Sequence, residues 1–363
     1  MEVVGNDLVK DYENSRDQYV SFARTIDNLL VRLLASEGIS VHSIGNRCKT
    51  INSFKGKLER KNAYTKLVQI TDLAGVRLIT HYEDDVDRIA KIIESEFSVD
   101  HENSIDKRKA IDPEKFGYLS LHYVVSLSDE RAALREYATF RGMKVEIQVR
   151  SILQHTWAEI EHDTGYKTDI EIPKHIRRRF SRLAGLLELA DQEFMGIRDA
   201  LVEYSENVTL QVEQASEDRT VSSTDEVSLD KISLGRFIEL DSQVLALDTR
   251  IAEALTAEIE LLTEVDSKQI QRLKALGINT LSELRSQLES NAQHILRRAE
   301  DAKIQWPKSD GEPSRTIPKG ICLLYLAQVL IAKRKDEIEI RDLLSKSGLY
   351  ISDRLVDYLL NFF

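Results

Sequence analysis

Cysteine is scarce. Two occur in 363 residues, Cys48 and Cys322, far apart and outside any CxxC or Cys/His ligand spacing. That excludes a disulfide framework and a zinc site and leaves two ordinary reduced thiols. No run of about 18 or more apolar residues occurs, so no membrane-spanning helix is expected. The amino-terminal MEVVGNDLVKDYENS is mixed and charged, where a secretory leader would be basic and then apolar. The expectation is a cytoplasmic protein with no membrane partner. Phosphate-binding glycine motifs are missing as well: Gly56-Lys57 has Ile51 where a Walker loop requires glycine, and no GxGxxG is present. A nucleotide here would have to be held by side chains. Positive charge is not in excess either; the net charge of -11 argues against a protein that coats nucleic acid non-specifically.

The 42% hydrophobic content suffices, at this length, for a real core and two domains. From about 7 to 36, Leu8, Tyr12, Tyr19, Phe22, Ile26, Leu29, Leu30 and Leu33 recur at three- and four-residue spacings and predict a helix. An apolar strand follows at about 74–80, then a helix at about 84–97 with Val86, Ile89, Ile92 and Ile93 inward. Residues 98–115 are polar and basic without periodicity and read as a flexible loop. Alternating β-branched and apolar residues predict strands at 119–127 and 143–149, and 152–162 reads as helix. Strands alternating with helices point to an α/β or α+β domain. Between about 173 and 214, Leu183, Leu186, Leu187, Leu189 and Phe194 recur at helical spacing. The Ser/Thr- and acid-rich segment 216–228 is the expected linker between a domain at 1–215 and a mostly α-helical region at 229–363. That second region reads as helices apart from a break at 306–318, where Pro307, Pro313 and Pro318 fall. Inside it, RLKALGINTLSELRSQL combines Gly277 with a Thr280-x-x-Glu283 capping box. The run resembles a helix-hairpin-helix element of the kind that touches nucleic-acid backbones; a plain packing hairpin is the commoner use of the same residues.

Three runs carry the chemistry: TDLAGVRLI from Thr71, KFGYLSLHYVV from Lys115, and VEIQVRSILQHTWAEIEHDTGYK from Val145. Two basic clusters accompany them, one holding Arg47, Lys49, Lys55, Lys57, Arg60, Lys61 and Lys66, the other Lys107, Arg108, Lys109 and Lys115. Such clusters suit a compact polyanion, a nucleoside polyphosphate or a tRNA end, although a solvated basic face is their ordinary role. Arg47 and Lys49 alternate as on a strand, while Ser53, Lys57 and Arg60 or Lys61 recur at helical spacing, so one face can surround a triphosphate. Phosphoryl transfer needs that neutralisation of charge. Asp72 stands just before one strand and Glu146 at the start of another. Mg²⁺ takes one or two protein carboxylates plus phosphate oxygens and waters, so the pair would suffice, while each alone also reads as a strand-end or cap residue. Tyr118 follows Gly117 and offers a ring to a base, or simply packs. His122 shares a strand face with Ser120. The dipeptide His162-Asp163 resembles metal-dependent phosphohydrolase sites, but the upstream ligands such sites need are not found.

The order and spacing of these motifs are specific. They are R-x-K (Arg47, Lys49), S-x-x-x-K-L-x-R-K (Ser53, Lys57, Leu58, Arg60, Lys61), D-L-A-G-V-R (Asp72 to Arg77), G-Y-x-S-x-H (Gly117 to His122), and E-I-Q-V-R with W-x-x-x-E-H (Glu146 to Arg150; Trp157, Glu161, His162). The segment from about 44 to 167 thereby resembles the synthetase domain of the RelA/SpoT family, in the layout of a small alarmone synthetase with an added carboxy-terminal region. The resemblance implies an α+β fold, a nucleotidyltransferase-like mixed sheet flanked by helices. It implies an ATP-dependent pyrophosphokinase that transfers the β,γ-pyrophosphoryl group of ATP to the 3'-hydroxyl of GDP or GTP, with Mg²⁺ as cofactor. Carried over by position, Arg47 and Arg77 would clamp the adenine, and Lys49, Ser53, Lys57, Arg60 and Lys61 would hold the ATP phosphates. Asp72 and Glu146 would hold the metal, and Glu146 would also accept the acceptor's proton. Tyr118 would stack on the acceptor base, with Lys115, His122, Gln148 and Arg150 lining that side. Departures fall near the acceptor: Leu119 where Arg or Gln is usual, Phe116 in the lead-in to Gly-Tyr, and Ser151 after Arg150. They motivate an alternative, a toxin-type enzyme acting on tRNA 3' ends or adenine nucleotides; a catalytically inactive nucleotide sensor is the non-enzymatic alternative. No segment before Arg47 is long enough for the family's metal-dependent hydrolase domain, so a chain that makes its product and does not degrade it is expected. A homo-oligomer, and a protein or nucleic-acid partner for 229–363, complete the expectations.

Overall fold

The run AGVRLIT puts apolar residues at alternate positions, and it forms an interior strand of a mixed sheet. The computed structural model describes residues 2–60, 64–106, 120–165, 173–217, 227–261, 265–305 and 315–363. It divides into two units, Met1–Arg198 and Asp199–Phe363. Most of the expected linker, 218–226, lies outside the described residues.

In the first unit the strands run in the order β1 (Val41–Cys48), β2 (Ala74–Thr80), β6 (Val145–Ser151), β5 (Leu121–Leu127) and β3 (Phe97–Val99), and β4 (Ile105–Asp106) also pairs with β5. The pair β2–β6 is parallel; the others are antiparallel. This is the mixed, helix-flanked sheet that the sequence implied. One sheet face carries Val76, Leu78, Ile147, Val149 and Tyr123. They cluster with Phe22, Ile26 and Leu30 of α1 (Glu2–Ser36) and Val86, Ile89 and Ile93 of α3 (Asp84–Glu96). Each such buried aliphatic side chain contributes about 1.5–3 kcal/mol. A smaller cluster of Leu8, Tyr12, Phe54, Ile70 and Leu73 seats α2 (Ile51–Arg60) against α1.

After the four-residue α4 (Asp129–Ala132), the chain forms α5 (Ile152–Gly165) directly from the end of β6, and then the 44-residue α6 (Lys174–Glu217). Buried Ser151 donates to buried Asp191 of α6 at 2.7 Å, and Arg198 of α6 grips Asp84 with two bonds of 3.0 and 2.8 Å. The helical spacing at 173–214 is therefore real, yet Leu183, Leu186, Leu189 and Phe194 are exposed. Within 98–115, read as a loop, part of β3 and all of β4 occur; each is too short for a period-2 pattern to register.

The second unit consists of α7 (Lys231–Leu240), α8 (Ser242–Leu255), α9 (Ser267–Ala275), α10 (Leu281–Gln305), α11 (Ile321–Ala332), α12 (Glu337–Lys346) and α13 (Asp353–Leu360). In a short parallel pair, β7 (Ala257–Glu260) lies where a helix was expected, while its partner β8 (Arg315–Pro318) falls in the expected break at 306–318. The helix α11 is apolar on all sides and correspondingly buried. Its first amides, those of Gly320 and Cys322, bond to the buried carboxylate of Asp248. Val208 and Val212 from the end of α6 belong to this second core. At the α9–α10 turn, Gly277 takes φ of 82°. Glu283 there accepts the Asn279 and Thr280 amides, while Thr280 accepts the Glu283 amide. An acidic side chain thus occupies two amides of the turn. No helix among the described residues is long and apolar enough to cross a membrane.

Candidate active site

Register decides which side chains meet. Arg47 lies opposite Gly75, and Gly45 opposite Arg77; Gly75, Arg77 and Ile79 lie opposite Glu146, Gln148 and Arg150; His122 lies opposite Gln148. Directly paired residues share a sheet face, and alternate residues along a strand return to it. Arg47, Arg77, Glu146, Gln148, Arg150 and His122 therefore occupy the face opposite the α1/α3 core. The same period that buries Val76 and Ile147 aims these polar groups the other way.

Glu146 is the hub of this face. Its Oε1 lies 3.2 Å from His122 Nδ1, and its Oε2 accepts from Gln148 Nε2 at 2.9 Å. Gln148 Oε1 in turn accepts from Arg150 Nη2 at 3.0 Å, and Arg47 Nη2 stands 3.9 Å from Glu146 Oε2. Burial acts upward on the Glu146 pKa, but His122 and Gln148 outweigh it and hold the pKa below the ordinary value, so the group is ionised near neutrality. Gly75 has a steric reason: a Cβ there would come within 3.3 Å of the Arg47 side chain, which crosses β2 at that point.

Asp72 sits in the turn before β2. Lys57 donates to its Oδ1 at 2.7 Å, and Lys49 Nζ lies 2.9 Å from its Oδ2. Burial again acts upward on the pKa, and the two lysines more than offset it. Lys49 is held from behind, its amide bonding to the Leu73 carbonyl at 2.9 Å and its carbonyl accepting from Tyr12 Oη at 2.6 Å. Phe54, buried against the Tyr12 ring at 4.6 Å, anchors α2 so that Lys57 reaches Asp72.

Of the other expected phosphate ligands, Ser53 is engaged with Thr50 at the start of α2, and Arg60 Nε bonds to the Gly56 carbonyl of its own helix. Lys61, Lys115 and Tyr118 lie outside the described residues. Arg77 is held by Glu159 of α5 at 2.9 Å, and His155, one turn earlier, stands 3.7 Å from the same carboxylate oxygen. Burial and the nearby Arg150 lower the His155 pKa, so that ring is neutral at pH 7. His155 and Glu159 were missed in the sequence. Their i, i+4 spacing after the EIQVR strand is the available signal, in the same helix as Glu161 and His162. A cleft of about 280 Å³ opens here, lined by Ser43, Ile44, Gly45, Asn46, Arg47, Arg77, Ile79 and His155.

Among the described residues no group of three or more His, Cys, Asp or Glu could enclose a metal. Asp72 and Glu146 nonetheless feel each other's charge, since Asp72 acts upward on the Glu146 pKa. Two hard carboxylates in mutual repulsion fit Mg²⁺, which draws its remaining ligands from water and phosphate. The arrangement can hold a polyanion among Arg47, Lys49 and Lys57 and offers an ionised carboxylate beside it.

A family model described as a region found in RelA/SpoT proteins matches residues 46–171. The GTP pyrophosphokinase YwaC of Bacillus subtilis is 30% identical over 160 residues, 42% of this chain and 71% of that protein. The GTP pyrophosphokinase YjbM of the same organism is 29% identical over 170 residues, 45% of this chain and 74% of that protein. The crystal structure of small alarmone synthetase 1 from Bacillus subtilis bound to its product pppGpp aligns with 53% of this chain and 99% of that one, at 23% identity and a TM-score of 0.45. With a relative at this identity matched over most of its length, the chain belongs to the RelA/SpoT family.

Proposed function

We propose that the chain is an ATP-dependent pyrophosphokinase that transfers the β,γ-pyrophosphoryl group of ATP to the 3'-hydroxyl of GDP or GTP. The observation that carries this reading is the gathering of Arg47 at Glu146 and of Lys49 and Lys57 at Asp72, beside a base-sized cleft. The relatives named as GTP pyrophosphokinases agree with it. The adenine lies in the cleft between Arg47 and Arg77, whose guanidinium planes suit a base face. From Gly45 to Lys49 is about 13 Å along an extended chain, which leads the phosphates to Lys49 and Lys57. The acceptor lies toward His122, Gln148 and Arg150, and Tyr118 stacks on its base.

Little covalent chemistry is asked of the protein; positioning in line and neutralising charge do most of it. As the 3'-oxygen attacks, its proton passes to the ionised Glu146 carboxylate, and AMP leaves. Mg²⁺ held by Asp72 and Glu146 would neutralise charge on the transferred group. The catalytic domain is placed at 1–215, and the region 229–363 is assigned regulation or partner binding. The test is incubation of the full chain with γ-labelled ATP and Mg²⁺ plus, separately, GDP, GTP, ATP and tRNA. Label in the guanine nucleotides supports the proposal. Label only in tRNA or adenine nucleotide replaces the acceptor, and no label in any arm rejects the enzyme.

A further inference from the structure

Glycine inside a strand weakens it, having no side chain to pack and more chain entropy to lose, and so asks for a reason. Gly75 has one in the Arg47 side chain that crosses it. Gly45, on β1, has none in the protein. Its φ is not in the left-handed region, and a Cβ built on it would meet nothing within 4 Å. A bulge is another use of glycine in a strand, but the register shift of β1 falls between Val41 and Ser43, before Gly45, which leaves the close approach of another molecule.

The surroundings of Gly45 say where that molecule lies. Gly45 pairs with Arg77 and is two residues from Arg47, so all three share the sheet face that bears Glu146. It lines the cleft of about 280 Å³ between the two arginines, with His155 at its wall. That volume falls just below the roughly 300–1,000 Å³ of sites for drug-sized ligands and suits a nucleobase better than a whole nucleotide. The strand β1 ends the sheet order, so alternate peptide groups along its outer edge have no strand to bond and remain available to a ligand's polar edge. Among the described lining residues there is no carboxylate. A guanine edge, rich in N–H donors, would call for one, whereas an adenine edge is served by peptide groups.

We infer that Gly45 determines specificity in the donor-base slot: its missing side chain leaves a floor on which a flat adenine-type base slides between Arg47 and Arg77. This rests on the donor reading given above. A larger residue at 45 would project into the slot and exclude the base while leaving the protein's own packing untouched.

The test is a graded series in the full chain, Gly45→Ala, Gly45→Val and Gly45→Leu. Thermal midpoint, donor KM, acceptor KM and kcat are measured for each. The expected result is an unlowered thermal midpoint and a donor KM that rises stepwise, at least tenfold for Gly45→Leu, with acceptor KM and kcat at saturating donor within twofold of wild type. A wild type that turns over while Gly45→Leu keeps its donor KM within twofold overturns the inference. So does an equal rise in both KM values, which would mean a general disturbance of the site. If Gly45→Leu fails to fold, Gly45→Ala, which adds one carbon in open space, decides by the same readouts with a threefold rise as the criterion. If the wild type transfers nothing, the transfer reading itself has failed. The slot is then judged by equilibrium dialysis with labelled ATP, where tenfold weaker binding by Gly45→Leu supports it and unchanged binding overturns it.

Discussion

Neutralising Asp72 without changing its shape separates its two jobs. Its carboxylate receives Lys57 and Lys49 at 2.7 and 2.9 Å. Hydrogen bonds to charged groups contribute about 1.5–3 kcal/mol each, and with the Asp72 side chain 24% exposed the lower end applies. In Asp72→Asn one amide oxygen still accepts, so the ground-state loss is about 1.5 kcal/mol. Both lysines then carry less-compensated positive charge, and that favours a polyphosphate. ATP binding should therefore be no weaker than in wild type. Turnover behaves differently, because removing a group that stabilises transition-state charge costs on the order of 10²-fold, or about 2.7 kcal/mol at 1.36 kcal/mol per tenfold. The expected signature is a kcat reduced about 100-fold or more at saturating Mg²⁺ with an undiminished ATP affinity, read from initial rates and from equilibrium dialysis without acceptor. A kcat within tenfold of wild type, or ATP binding lost in step with turnover, would refute the reasoning.

Tyr118→Ala should raise acceptor KM by about tenfold or more, since stacking on a base contributes about 1–3 kcal/mol, and leave ATP binding within twofold; equal losses would make the ring structural. The pKa values of Asp72, Glu146 and Asp100 are all held below the ordinary carboxylate range, the last mainly by the Lys144 hydrogen bond at 2.6 Å. The stability they contribute is present above about pH 4, the unfolded value, and is lost as the pH falls through their lower folded values. Denaturation midpoints followed down from pH 6 should drop in that acid window, and Lys144→Met should flatten part of the drop; Asp191, raised by burial, acts in the opposite sense. Cleavage within 216–228 is expected to leave an amino-terminal fragment that still transfers pyrophosphate but at an altered rate. Because Val208 and Val212 pack in the second core, that fragment should bind a hydrophobic dye more than the whole chain does; unchanged kinetics would remove the regulatory role assigned to 229–363.

The strands that carry the site were legible because their two faces differ. In AGVRLIT and VEIQVRS the apolar core set alternates with Arg77, Glu146, Gln148 and Arg150, so both the strand and the direction of its polar groups follow from period 2. Pairing across strands was not legible. Nothing local in the sequence says that Lys49 and Lys57 converge on Asp72, or that Arg47 crosses Gly75, since those contacts depend on sheet order and on Tyr12 and Phe54 seating α2. The short strands β3, β4, β7 and β8 escaped for a different reason, two to four residues being too few to show a period. In α6 the helical spacing of Leu183, Leu186 and Leu189 gave the helix but not their exposure, because periodicity reports a face and not what covers it.

The central claim is transfer of two phosphoryl groups as one unit, and the adenine nucleotide left behind reports it directly. The full chain is incubated with Mg²⁺, GDP and ATP labelled in parallel at the β or the γ position, and the nucleotides are separated and counted. One AMP is expected for each product formed, with label from both positions appearing in the guanine product. ADP as the released nucleotide, with only the γ label transferred, would contradict it.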